Sequence, residues 1–143
     1  EAGQNRDDKE KSLTTVSKTG GTILVVDDEP TVRLLLTEVL GELGYTLIEA
    51  ADSIAGLEIL RSNTHIDLLI TDVGLPGGMN GRQMADAGRE VRPNLKTLFI
   101  TGYAENAVIG NGQLEAWMQV LTKPFAVKTL VSRVSELMSL STE

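Results

Sequence analysis

Cysteine is absent from the 143 residues, and with it go disulfides, thiolate metal sites, iron–sulfur clusters and cysteine nucleophiles. The one histidine, His65, is too few for a multi-histidine zinc centre and leaves no spare imidazole for general base work. Basic residues are in the minority: 13 Lys and Arg face 20 Asp and Glu, for a net charge of −7. That field is wrong for non-specific nucleic-acid binding. Long apolar runs are missing too. The longest, such as Ile23–Val26, reach four or five residues, far short of the roughly 20 that a spanning helix needs. No basic-plus-apolar leader opens the chain, and its first residue is Glu. The economical expectation is a processed or subcloned fragment of a cytoplasmic protein, with no membrane and no direct nucleic-acid partner. The length allows one ordinary domain with a tail.

Residues 1–20 carry three aliphatic side chains, Ala2, Leu13 and Val16, among polar and charged neighbours. Such a stretch buries too little to offset its ordering entropy and reads as a flexible linker or tail. Gly20-Gly21 marks the join to a domain over 21–140, with 141–143 a C-terminal tail. Thr22–Val26 is a β-branched run suited to a strand covered on both faces. Pro30 opens a helix whose Val32, Leu35, Leu36, Val39, Leu40 and Leu43 repeat at helical spacing up to Gly44. Tyr45–Ala50 reads as a second strand, and Asp52-Ser53 caps a short helix through about Arg61. Ile66–Asp72 is the third strand, followed by a glycine-rich loop over Val73–Met79. Asn80 and Gln83 form a capping box for a helix that runs to about Arg92, before Pro93. Leu95–Ile100 and Met118–Leu121 are the last two strands. Between them Gly102–Trp117 is hard to read, because Gly110 and Gly112 shorten any helix there. Val127, Leu130, Val131, Val134, Leu137 and Met138 close the chain with an amphipathic helix. Five strand–helix alternations predict a three-layer α/β/α fold around a five-stranded parallel sheet.

Ligands of an open parallel sheet bind at the carboxyl ends of its strands. Those ends carry Asp27-Asp28-Glu29, Thr71-Asp72, Thr101-Gly102 and Thr122-Lys123-Pro124. Two carboxylates about 4 Å apart repel by about 4 kcal/mol at an effective dielectric near 20. Asp27, Asp28 and Asp72 with one lysine are therefore under-compensated, and a divalent cation is expected. With oxygen ligands alone, that cation should be Mg2+ (or Mn2+).

The set of motifs, in this order and each on its strand end, resembles the receiver domain of two-component response regulators over Thr22 to about Ser139. The wording Gly102-Tyr-Ala-Glu-Asn-Ala107 and Leu121-Thr-Lys-Pro-Phe125 is most similar to receivers fused behind hybrid sensor histidine kinases. The resemblance implies a flavodoxin-like sheet of order 2-1-3-4-5. It also implies that Asp72 is the phosphoacceptor, taking a phosphoryl group from a histidine kinase or histidine phosphotransfer domain. Asp28 would bind the cation directly, Asp27 largely through water, and the Gly74 backbone carbonyl would add a ligand. Lys123 and the Thr101 hydroxyl would each meet a phosphoryl oxygen, Gly102 would leave room for it, and Lys123–Pro124 would be a cis peptide. Gly74 and Tyr103, two residues past the aspartate and the threonine, would set the phosphate lifetime, with the Tyr103 ring covering the water's approach. Receivers often carry an aromatic switch residue three before the lysine. Here that position is Val120, so switching is expected to fall to Gly102–Trp117. A weak homodimer is compatible with this class of domain. Its enzymology would be confined to its own phosphorylation and dephosphorylation, whatever a parent hybrid histidine kinase does.

Each residue also has a plainer reading. Asp27-Asp28-Glu29 before Pro30 can serve as helix capping, and Glu29 can complement the helix dipole without binding metal. The glycines at 74, 77, 78 and 81 belong to turns, since no G-x-x-x-x-G-K-[ST] is present. His65 reads as a surface residue, Trp117 and Met118 as core, and Arg82, Arg89 and Arg92 as solvating the third helix. Two other functions remain open: a Mg2+-dependent aspartyl phosphohydrolase, and a binding-only pseudo-receiver that is never phosphorylated. DNA-directed output would need residues outside this chain.

Overall fold

The computed structural model describes residues 20–76, 78–102 and 115–140. In chain order they form β1 (Thr22–Val26), α1 (Pro30–Glu42), β2 (Thr46–Ala50), α2 (Ser53–Leu60), β3 (Leu68–Asp72), α3 (Gly81–Val91), β4 (Lys96–Thr101), β5 (Met118–Thr122) and α4 (Val127–Met138). The five strands make one parallel sheet of order β2-β1-β3-β4-β5. The architecture matches the predicted one. Strand starts at β2 and β3 lie one and two residues later than the apolar pattern suggests, because Tyr45 and Ile66 pack under the sheet instead of pairing in it. The expected linker 1–19, the tail 141–143 and most of the 102–117 segment lie outside the described residues.

Alternation along each strand divides the apolar side chains between two cores. Leu24 and Val26 of β1, Leu69 of β3 and Phe99 of β4 face α2 and α3, where Leu57, Leu60, Met84 and Ala85 meet them. Ile23, Val25, Ile70, Leu98 and Ile100 face the other way, against Leu36 and Leu40 of α1 and Leu130, Val134 and Leu137 of α4. Each fully buried Leu or Ile contributes about 1.5–3 kcal/mol by leaving water. Both faces must therefore stay covered, and the strand ends are left as the open edge where polar groups can gather. No helix among the described residues is long and apolar enough to cross a membrane.

Local signals account for most helix ends. Asp52 accepts the Ala55 N–H at 2.8 Å, and Asn80 and Gln83 exchange the two bonds of a capping box. Two arginines at the end of α3, Arg89 and Arg92, correct the sequence reading, which had them solvating the helix. Arg92 instead donates to the carbonyls of Leu60, Ser62 and Thr64, closing the end of α2. Arg89 donates to the Leu95 carbonyl while its guanidinium carbon lies 3.2 Å from the Trp117 ring centroid. Both are long side chains that reach backbone on other elements, which helical periodicity does not report.

Gly41, in the last turn of α1, has no packing reason to be glycine: a Cβ there would meet Leu47 Cδ2 at 4.0 Å, an ordinary contact. Gly41→Ala is expected to stabilise the domain by about 0.5–1 kcal/mol through helix propensity. Urea unfolding checks this, and an unchanged or lower midpoint would contradict it.

Candidate functional site

β1 ends by sending Asp27 into the protein and Asp28 out to solvent. Asp27 is 1% exposed. Its N–H donates to the Ala50 carbonyl at 3.2 Å, and its Oδ1 accepts the Glu29 N–H at 2.8 Å. Its Oδ2 is buried with no hydrogen-bond partner, a costly state for a charged oxygen. Burial raises the Asp27 pKa from 3.8 to about 6; repulsion from Asp72 and Asp28 adds to it, against the Glu29 N–H and Lys123. Capping does not explain these acids. Glu29 is the residue before the first turn of α1, and its side chain makes no cap hydrogen bond.

β3 places Asp72 opposite this loop. Asp72 is buried, with Oδ1 accepting the Gly74 N–H at 3.3 Å and Oδ2 lying 3.6 Å from Lys123 Nζ. Asp27, Asp28 and Asp72 each offer a carboxylate oxygen, and these lie within 4.8 Å of one another. β4 ends in a fully buried Thr101, followed by Gly102, and the Thr101 carbonyl accepts the Lys123 N–H at 2.8 Å. The Lys123–Pro124 peptide is cis. Burial works against the charge on Lys123, but Asp72, Asp27 and Glu29 outweigh it, so this lysine holds its proton more tightly than a free one.

The geometry fits a hard divalent cation. Three hard oxygen donors converge, their negative charge exceeds what one ammonium offsets, and Asp27 Oδ2 still needs a partner. Sequence reasoning missed the role of Glu29. Its Oε1 lies 3.4 Å from Lys123 Nζ, so the lysine is shared between Glu29 and Asp72. The two residues are 94 apart in the chain, and their meeting depends on β1 and β5 both ending at this rim. Gly74 sits exposed on the loop after Asp72, whereas Tyr103 lies outside the described residues. His65 takes no part: it precedes β3, at the far end from Asp72, with its side chain 78% exposed beside Asp67.

Gly81 holds the floor of the site. A Cβ there would collide with the Asp72 carbonyl oxygen and stand 2.9 Å from Thr71 Oγ1. That oxygen is backbone and cannot turn aside, so α3 has to lift off β3. Gly81→Ala is expected to cost about 1–3 kcal/mol, the usual range for overpacking. A melt that matches wild type would show that α3 tolerates the displacement.

Residues 23–135 match the family model described as the response regulator receiver domain. The chain is 35% identical over 133 residues to the sensor kinase CckA of Brucella abortus, covering 91% of this chain and 14% of that protein. It is 30% identical over 116 residues to the response regulator receiver protein CpdR of the same organism, covering 81% of this chain and 95% of CpdR. Among solved structures, a response regulator receiver protein from Sinorhizobium medicae superposes with a TM-score of 0.75 at 29% identity, over 89% of this chain and all of that one. The chain thus spans about one seventh of the sensor kinase and nearly all of the free-standing receiver.

Proposed function

The chain belongs to the response regulator receiver domain family, and on that premise we propose that Asp72 accepts a phosphoryl group from the phosphohistidine of a histidine kinase or phosphotransfer domain. One Asp72 carboxylate oxygen forms the new O–P bond while the P–N bond breaks. The electron pair returns to the imidazole, whose other ring nitrogen carries the proton that lets it leave neutral. The observation that carries this reading is the pairing of Asp72 with Lys123 at 3.6 Å inside the carboxylate cluster. Lys123 is held charged where a phosphoryl oxygen would arrive.

Asp27, Asp28 and Asp72, with the Gly74 carbonyl, would hold Mg2+, which when bound supplies charge neutralisation for the transferring group. Thr101 is assigned to hydrogen-bond a phosphoryl oxygen from the end of β4, and Gly102 to leave space for it. Similarity to CckA supports an origin within a hybrid sensor kinase, and the domain is assigned to the cytoplasm. Gly74 and Tyr103 are assigned to the phosphate lifetime. Gly74 brings no side chain to orient an attacking water, so Gly74→Asn is expected to hasten decay of radiolabelled protein roughly tenfold, about 1.4 kcal/mol of barrier. Equal decay would remove Gly74 from that role.

Incubation with acetyl phosphate and MgCl2, read by intact mass, tests the function. One phosphate per chain, lost when EDTA replaces the cation, is the expected result. An unchanged mass would point to the binding-only pseudo-receiver. Sustained release of p-nitrophenol from p-nitrophenyl phosphate would point to a phosphohydrolase.

A further inference from the structure

Three residues, Asp27, Asp28 and Glu29, separate β1 from α1, and a loop that short does not by itself aim two carboxylates at one point. The direction of the Asp27–Asp28 peptide decides where Asp28 leaves the strand. That peptide's oxygen, the Asp27 carbonyl, accepts a hydrogen bond from Arg33 Nη1 at 2.6 Å. The Nε of the same guanidinium lies 3.2 Å from Glu49 Oε1 on β2. The Arg33 side chain is 19% exposed, packed between α1 and the sheet edge. Both backbone groups of Asp27 are thereby tied toward β2: its N–H to the Ala50 carbonyl, its C=O through Arg33 to Glu49.

We propose that Arg33 is a positioning residue for the cation site, fixing the Asp27–Asp28 peptide so that both carboxylates converge with Asp72. This rests on the reading that these carboxylates hold Mg2+. A planar fork whose N–H groups point to two acceptors in fixed directions suits the task, and a lysine ammonium does not replace it. Charge alone argues the opposite way: deleting a positive residue near the site should tighten cation binding. Positioning and electrostatics therefore predict opposite signs, which makes the inference testable.

The experiment is Mg2+ titration of wild type, Arg33→Ala, Arg33→Lys and Glu49→Gln, followed by amide NMR shifts, with hydrogen exchange measured separately in EDTA. Arg33→Ala is expected to bind Mg2+ about tenfold more weakly, as supporting residues of metal sites do. Arg33→Lys and Glu49→Gln should fall between it and wild type. In EDTA the Glu29 amide, which donates to Asp27 Oδ1, should exchange faster in Arg33→Ala, while amides in the centre of β4 stay protected. That local contrast separates positioning from general loss of stability, and the two milder variants carry the test if Arg33→Ala does not fold. Unchanged or tighter Mg2+ binding in the variants would overturn the proposal. A wild type that ignores Mg2+ would instead overturn the cation reading, and the Glu29 exchange rate would still decide whether Arg33 fixes the loop.

Discussion

Asp72→Asn is expected to abolish phosphoryl labelling by acetyl phosphate while leaving the fold intact. Three aspartates share the rim, so the choice among them has to come from geometry. Asp27 has Oδ1 committed to the Glu29 N–H and Oδ2 buried, with almost no exposed surface for a donor to reach. Asp28 is exposed, and among the described residues it forms no salt bridge with a lysine. Asp72 combines a carboxylate steadied by the Gly74 N–H with a lysine 3.6 Å from its other oxygen. An amide at that position keeps the shape and loses the nucleophile. Circular dichroism should match wild type, because Lys123 retains Glu29 as a partner. Labelling of Asp72→Asn at the wild-type rate would move the acceptor to another residue.

Asp27→Asn is expected to act in two directions at once. Without divalent cation the wild-type protein holds an ionised carboxylate that burial and two neighbouring acids disfavour, with its pKa raised from 3.8 to about 6. A raised acid pKa means the unfolded chain gives up its proton first. Cation-free stability should therefore fall as pH climbs from about 4 to about 6, then level off at a value lower by on the order of 2 kcal/mol. Asparagine removes that cost. It can keep the Glu29 N–H on its oxygen and turn an amide donor toward the carboxylates where Oδ2 now lacks a partner. In EDTA at neutral pH the variant should melt roughly 5–10 °C higher. In millimolar MgCl2 the order should reverse or close, because the variant has lost a ligand while wild type gains binding free energy. Identical melts with and without Mg2+ in both proteins would show that Asp27 has no part in a cation site.

Much of this was legible in the residues themselves. Continuous apolar runs in Thr22–Val26 and Ile66–Asp72 marked buried parallel strands, Asp52 and the Asn80–Gln83 pair marked helix starts, and the acids and lysine fell on strand ends. These are local signals: each needs a window of a few residues, and backbone geometry turns them into structure without help from afar. The strand order needed the family resemblance, since alternation alone permits several orders. His65 read correctly as a surface residue for the same local reason, an isolated polar position in a turn.

Arg92 and Glu29 show the limit. Arg92 follows the last turn of α3 as its capping residue, where sequence pattern assigns it to solvent. The packing of α2 against α3 brings three carbonyls within its reach, 28 to 32 residues back in the chain. Glu29 looked like a dipole partner until the ends of β1 and β5 met at one rim and set Lys123 beside it. The same holds for the Asp27 oxygen left without a partner and for the Arg33 bridge to Glu49. Residue types, periodicity and turn chemistry settle the elements, their alternation and the acidic strand ends, because those depend on neighbours along the chain. Which charges share a lysine, which carboxylate is buried and which arginine holds a loop depend on strand order, crossover and register. Those belong to the folded sheet, and no window of sequence contains them.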